Sequence, residues 1–152
     1  MRPGPAAALR LTAAFSAGQL LAVAVTAVSG AAIDPALAEL GVAVNVSVVD
    51  AVGLPLAFAR INGAPLHSIS IAEDKAVTAV SFGLATGEWH DAVGGVPRVW
   101  DSLVARPRFC ALAGGFPIRQ GDAVVGGIGV SGGTEEQDVA CASAGLAALG
   151  SV

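Results

Sequence analysis

The chain has 152 residues, enough for one domain with a buried core. Its net charge of −4 and its single lysine argue against nucleic-acid binding, which needs clustered Lys and Arg. Apolar residues make up 54% of the chain and charged residues only 13%. Such a balance predicts that part of the surface is buried between subunits, as in a homo-oligomer.

The cysteines and short motifs exclude several classes of protein. Cys110 and Cys141 are too few for a disulfide scaffold, and buried thiols that behave as small apolar groups explain both. The chain has no C-x-x-C, no histidine pair at metal-binding spacing, no G-x-G-x-x-G after a strand and no Walker loop.

The N-terminal region allows two interpretations. Residues 1–10 are predicted to form a flexible arm, followed by a single domain over residues 11–152. Residues 11–33 carry no charge, but polar residues and many alanines interrupt the apolar run, so stable membrane insertion is not expected. An amphipathic helix of the fold in a cytoplasmic protein is the first interpretation. A signal peptide within residues 1–30 of a secreted protein is the alternative.

A helix break over residues 29–35, a short helix over 36–40 and then a β-hairpin are predicted next. Residues 42–49 are rich in β-branched side chains and predict a buried strand. Residues 50–53 form the turn and residues 54–61 the returning strand. Pro55 lies inside this second strand, which indicates a sheet edge or a bulge.

Helical segments follow. Ser70 and Glu73 match a capping box, so a helix is predicted over residues 71–82, ending at Gly83. The small side chains on one side of this helix predict close packing on the sheet; they are Ala72, Ala76 and Ala79. Thr86 is predicted to cap a short helix over 87–93. A helical turn over 99–104 and a short strand over 108–112 complete this part.

Residues 114–138 predict a second hairpin and the start of a helix. Two strand-like runs flank Gly121 and Asp122, a turn pair, and residues 131–133 end the second strand. Thr134 and Gln137 match a capping box for a last helix that ends at Gly150. The order of these elements predicts an α+β fold, an antiparallel sheet with helices packed on it.

Two sequence blocks, S-I-S-I-A-E-D-K-A-V-T-A and GGFPI followed by VVGGIGVSGGTEEQD, carry a family resemblance. Together they resemble the GlcG/HbpS-like family of small haem-binding proteins, and are similar to the C-terminal domain of PduO-type corrinoid adenosyltransferases. The resemblance implies a profilin-like sheet of about five strands flanked by helices. It also implies haem as the cofactor and a homo-oligomer, from dimer to octamer.

Few side chains of this chain suit haem iron. There is no tyrosine and Met1 is the only methionine, which leaves these candidates: His67, His90, Cys110, Cys141 and, as a weaker ligand, the hydroxyl of Thr86. His67, which precedes a predicted helix, ranks first as the iron ligand and as a metal-binding residue. His90 follows an aromatic residue and ranks second.

A cationic group and a glycine-rich loop are the candidates for binding an anionic group. Lys75 is suited to a haem propionate or a substrate carboxylate, or it pairs with Asp50, Glu73 or Asp74. The backbone N–H groups of a loop are suited to the same task; its residues are Gly114, Gly115 and Pro117.

Three functions remain open at this stage. The first is haem binding, with assistance to haem degradation as a further role, in a pocket near His67, Lys75 and the loop at Gly114. The second is a small-molecule enzyme that acts on an organic acid or a biosynthetic intermediate, with His67 or His90 as general acid–base and Lys75 as anchor or base. The third is a non-catalytic oligomeric sensor or assembly protein.

Overall fold

The computed structural model describes residues 41–148. The predicted arm, the uncharged segment over residues 11–33, the break and short helix before residue 41 and the end of the last helix at Gly150 lie outside the described residues.

Four strands form one antiparallel sheet. They are β1 (Asn45–Asp50), β2 (Pro55–Arg60), β3 (Gly115–Gln120) and β4 (Ala123–Ser131), in the order β2-β1-β4-β3. Both predicted hairpins are therefore confirmed, the first formed by β1 and β2 and the second by β3 and β4. The two hairpins join in the middle of the sheet, where β1 pairs with β4. Pro55 lies on the edge strand next to a bulge, as predicted.

Helix α1 (Ser68–Phe82) lies directly on one face of the sheet. Its predicted small side is confirmed, because Ala72, Ala76 and Ala79 are each fully buried. The matching surface of β4 is formed by Gly127 and Gly129, where an added Cβ would meet the backbone of α1. Glycines are required there because no side chain fits between a helix and a sheet at this distance.

The opposite face of the sheet holds the larger apolar core. Helix α4 (Glu135–Ala148) packs Cys141 and Ala142 against buried residues of β1, β3 and β4. The buried residues of the strands are Val46, Val48, Ile118, Ile128 and Val130, and Val44, directly before β1, packs with them. The predicted capping box starts α4: Gln137 N donates to Thr134 Oγ1 at 3.3 Å, and Thr134 N donates to Gln137 Oε1 at 2.9 Å.

Two short helices connect α1 to β3. A 3-10 turn (Thr86–Glu88) runs into α2 (Trp89–Val93), and α3 (Pro97–Val104) follows, slightly longer than the predicted turn. Helix α1 ends at Gly83, as predicted, with a left-handed φ of 64°. The fold is therefore α+β, with helices on both faces of an antiparallel sheet.

Three local predictions are wrong. Residues 108–112 do not form a strand, and the described sheet has four strands, close to the predicted number of about five. Ser70 does not cap α1, which starts two residues earlier; its hydroxyl instead donates to the carbonyl of His67. Thr86 does not cap the short helix, because its hydroxyl forms both of its hydrogen bonds with residues outside that helix.

Candidate functional site

Lys75 is buried, with 1% of its surface exposed, at the contact between α1 and β4. Its Nζ donates to the carbonyl of Val130 at 2.8 Å and to Asp138 Oδ2, also at 2.8 Å. Asp138 is itself 3% exposed, and its Oδ1 accepts a hydrogen bond from Gly133 N at 3.0 Å. A buried charge needs such pairing, so this contact joins α1 to the start of α4.

Gly114 allows that ion pair to form. Its φ is 112°, and an added Cβ would lie 2.8 Å from the Asp138 Cβ and 3.1 Å from the Lys75 Nζ. Its carbonyl accepts from Val130 N at 2.9 Å. The loop is thus packed against the ion pair from the side of β3, and glycine is required for both steric and conformational reasons.

Thr86 lies beside the same loop and is fully buried. Its Oγ1 donates to the carbonyl of Leu112 at 2.6 Å and accepts from Gly115 N at 2.9 Å. Gly115 is buried against Thr86, while Pro117 lies further along β3 and is half-buried.

The structure therefore brings four of the candidate residues into one buried cluster. They are Lys75, Thr86, Gly114 and Gly115. Their polar groups bond mostly to each other, to Asp138 and to backbone carbonyls. The partner of Lys75 is Asp138, and neither Asp50, Glu73 nor Asp74 takes that role. Asp138 also fixes the segment that leads into α4, because its Oδ1 accepts a hydrogen bond from Gly133 N.

The two histidines lie elsewhere, on the surface. His67 immediately precedes α1, beside Leu66, whose surface is 77% exposed. His90 lies on α2 with 80% of its side chain exposed, 5.8 Å from the ring of Trp100 between centroids. Its Nδ1 is 3.9 Å from Asp91 Oδ1, too far for a good hydrogen bond. Within residues 41–148, neither imidazole is hydrogen-bonded to the Lys75 cluster.

The cysteines are held as thiols. Cys141 lies on α4 and is buried in the core, whereas Cys110 is half-buried and its backbone N–H donates to Thr78 Oγ1 at 2.9 Å. Burial raises the pKa of both thiols above the ordinary value of 9.0, because a thiolate loses solvation there. The prediction of a buried thiol is confirmed for Cys141, whereas Cys110 is only half-buried.

Within residues 41–148, no three His, Cys, Asp or Glu side chains lie close enough to form a metal-binding group. In the same part of the chain, no helix combines the length and the apolar character that crossing a bilayer requires.

Comparison with known proteins places the chain among relatives of the same fold. An uncharacterised 15.0 kDa protein from the dhaT-dhaS intergenic region of Citrobacter freundii is 37% identical over 108 residues, which are 70% of this chain and 76% of that protein. A double mutant of HbpS from Streptomyces reticuli is 33% identical with a TM-score of 0.73, covering 99% of this chain and 98% of that one.

A third relative is solved with a ligand. The PduOC–haem complex is 31% identical to this chain, with a TM-score of 0.70, and the match covers 90% of this chain and 94% of that one. The family model described as "Haem degrading protein HbpS-like" matches residues 20–147. These matches confirm the resemblance seen in the two sequence blocks, and the chain belongs to the HbpS-like family.

Proposed function

We propose that this protein binds haem at its surface through an exposed imidazole, with His67 as the iron ligand. Membership of the HbpS-like family and the haem complex of the PduOC relative support haem as the ligand. The location of the haem site is proposed from the difference in exposure between the candidate residues. The residues of the Lys75 cluster are buried against each other, whereas both imidazoles are exposed.

The surroundings of His67 suit a flat apolar ligand with acidic groups. Residues paired across antiparallel strands project to the same face. Phe58 pairs with Ser47 and Arg60 pairs with Asn45, so both project to the α1 face of the sheet, on the edge strand β2. Phe58 is 42% exposed and Arg60 is exposed. An aromatic ring and a guanidinium are thus available on this face.

A hydrogen bond ties His67 to that surface. Asn45 Nδ2 donates to Ser68 Oγ at 2.7 Å, and Ser68 follows His67 in the chain while Asn45 pairs with Arg60. The imidazole, Leu66 and Arg60 therefore lie at the same end of the sheet. In this proposal Leu66 and Phe58 contact the porphyrin, His67 binds the iron, and Arg60 pairs with a propionate.

Lys75, Thr86 and the loop of Gly114, Gly115 and Pro117 have a supporting role in this proposal. They fix α1 on the sheet and so fix the position of His67 at its start. The alternative function, an acid–base enzyme, would use Lys75 as a base or anchor. No observation favours it, because Nζ already donates to Val130 and Asp138.

The test is a haemin titration followed by absorbance. The unmodified protein is expected to give a saturable, red-shifted Soret band, and His67→Ala is expected to weaken binding by tenfold or more and change the band. His90→Ala is the matched control, since His90 is the other imidazole of the chain and is also exposed. Loss of the band only in His90→Ala would move the ligand to α2, and the absence of any band would refute haem binding.

Arg60 is tested with the same assay. Arg60→Gln is expected to weaken haemin binding without moving the Soret maximum, because it removes a propionate contact and leaves the iron ligand in place. Arg98→Gln, an exposed arginine on α3, is the control. Haem degradation is a separate step, measured as Soret loss with a reductant and oxygen in the presence of catalase.

A further inference from the structure

An open groove of about 230 Å³ lies at the far end of α1 from His67. It runs between the last turns of α1 and the segment that follows α3. The residues that matter for its chemistry are Thr78, Phe82, Leu103, Arg106, Arg108 and Phe109. This volume is below the range typical of drug-sized ligands, so the groove suits a smaller molecule.

The apolar side of the groove is aromatic and firmly packed. Phe82 is 52% exposed, and its ring lies edge-on to Trp89 at 4.7 Å and to Phe109 at 6.3 Å between centroids. Trp89 in turn contacts Phe109 at 5.2 Å and is 6% exposed. Three rings in mutual edge contact leave exposed aromatic surface that favours a further flat ring.

The polar side of the groove is positively charged. Arg106 is exposed and has no ion-pair partner within residues 41–148. Arg108 Nε lies 3.3 Å from Asp74 Oδ1, and both side chains are partly exposed. Within the described part of the chain, these two guanidinium groups have one carboxylate partner, so one positive charge has no ion-pair partner there. The net charge of the chain as a whole is −4. An anionic ligand fits that balance.

The segment that carries both arginines is held in a fixed conformation. Arg108 has a left-handed φ of 63°, the one positive φ outside glycine within the described range 41–148. The buried Thr78 hydroxyl holds it, because Oγ1 donates to the carbonyl of Arg108 at 3.1 Å and accepts from Cys110 N at 2.9 Å. Unfavourable backbone angles persist where the surroundings hold them, and they occur often at ligand sites.

We infer that this groove binds a small aromatic carboxylate. The ring lies against Phe82 and Phe109, and the carboxylate accepts hydrogen bonds from the guanidinium of Arg106, with Arg108 as a second positive charge. This site is separate from the haem surface proposed above, because His67 directly precedes α1 and Phe82 is its last residue. These fifteen residues span roughly 22 Å at the rise of an α-helix.

The experiment uses benzoate as the probe and neutral benzamide as its uncharged counterpart. The chain has two tryptophans, so Trp100→Phe leaves Trp89 as a fluorescent reporter in contact with the groove aromatics. In this background benzoate is expected to change the fluorescence saturably and to bind roughly tenfold more tightly than benzamide. Arg106→Gln is expected to remove that preference, whereas Arg98→Gln, which does not line the groove, retains it.

The outcomes separate this inference from the haem proposal. Equal binding of benzoate and benzamide, equal effects of the two arginine substitutions, or no saturable change would overturn it, whatever haemin does. Displacement of benzoate by one equivalent of haemin would overturn the claim of two separate sites. Both arginines are exposed, so unchanged unfolding midpoints are expected and confirm that each variant is folded.

Discussion

The ammonium group of Lys75 lies 2.8 Å from the carboxylate of Asp138, and both side chains are at least 95% buried. The pair joins α1, on one face of the sheet, to α4, which packs on the other. Breaking it by Lys75→Met is expected to cost about 3–5 kcal/mol of unfolding free energy, because the Asp138 charge would stay buried without a partner. Urea unfolding measures this cost.

The control for that prediction is the exposed pair of Arg108 and Asp74. Asp74→Asn removes an ion pair whose side chains are partly in water, so a loss of only about 0–1 kcal/mol is expected. Replacing both members of the buried pair, in Lys75→Met with Asp138→Leu, should cost less than the two single changes added together. Additive losses would show that the two groups do not interact.

Gly114→Ala is expected to destabilise the protein by roughly 2–5 kcal/mol. The new methyl group would collide with Asp138 and Lys75, and a residue other than glycine also resists a φ of 112°. Gly95→Ala is the matched control, since an added Cβ meets nothing within 4 Å there and φ is not positive. A thermal shift of the same size in both variants would contradict this account.

Thr86→Val should cost about 1–3 kcal/mol. Valine keeps the shape of the side chain but leaves the buried Gly115 N–H and the Leu112 carbonyl without their present partner. The comparison is Ser102→Ala, which removes an exposed hydroxyl that donates to Arg98 O and should change stability by less than about 0.5 kcal/mol. Chemical denaturation of both variants measures these two losses of unfolding free energy.

Stability is expected to fall as the pH rises above about 9. The folded state holds the thiol protons of Cys110 and Cys141 more tightly than the unfolded chain, since burial raises both pKa values above 9.0. This contribution is complete below that pH and is lost as the pH rises through the raised values. The unfolding free energy between pH 8 and 10.5 should fall more steeply than in Cys110→Ala with Cys141→Ala. Parallel curves would refute the prediction.

Local patterns were sufficient to predict most of the fold. Alternating and β-branched runs around Gly121 and Asp122, and around residues 50–53, predicted both hairpins. The alanine side of α1 and the Thr134–Gln137 capping box were also predicted, because each depends on residues three or four apart. The family was recognisable from two contiguous blocks.

The predictions that failed depended on competition between local and distant partners. The Ser70 pattern matched a cap, but α1 begins earlier, where Ser68 bonds to Asn45 of β1. Thr86 matched a cap as well, yet its hydroxyl is taken by Leu112 and Gly115, 26 and 29 residues further on. The spacing of residues along the chain does not indicate which distant residues become hydrogen-bond partners.

The sequence by itself determined the α+β class, the two hairpins, the family and the short list of groups that can bind iron. Only the tertiary structure decided that Lys75 pairs with Asp138, 63 residues away, while His67 and His90 stay on the surface. The physical reason is that local hydrogen bonds and apolar periodicity act over a few residues. The burial of a charge, in contrast, depends on which elements the whole fold packs around it.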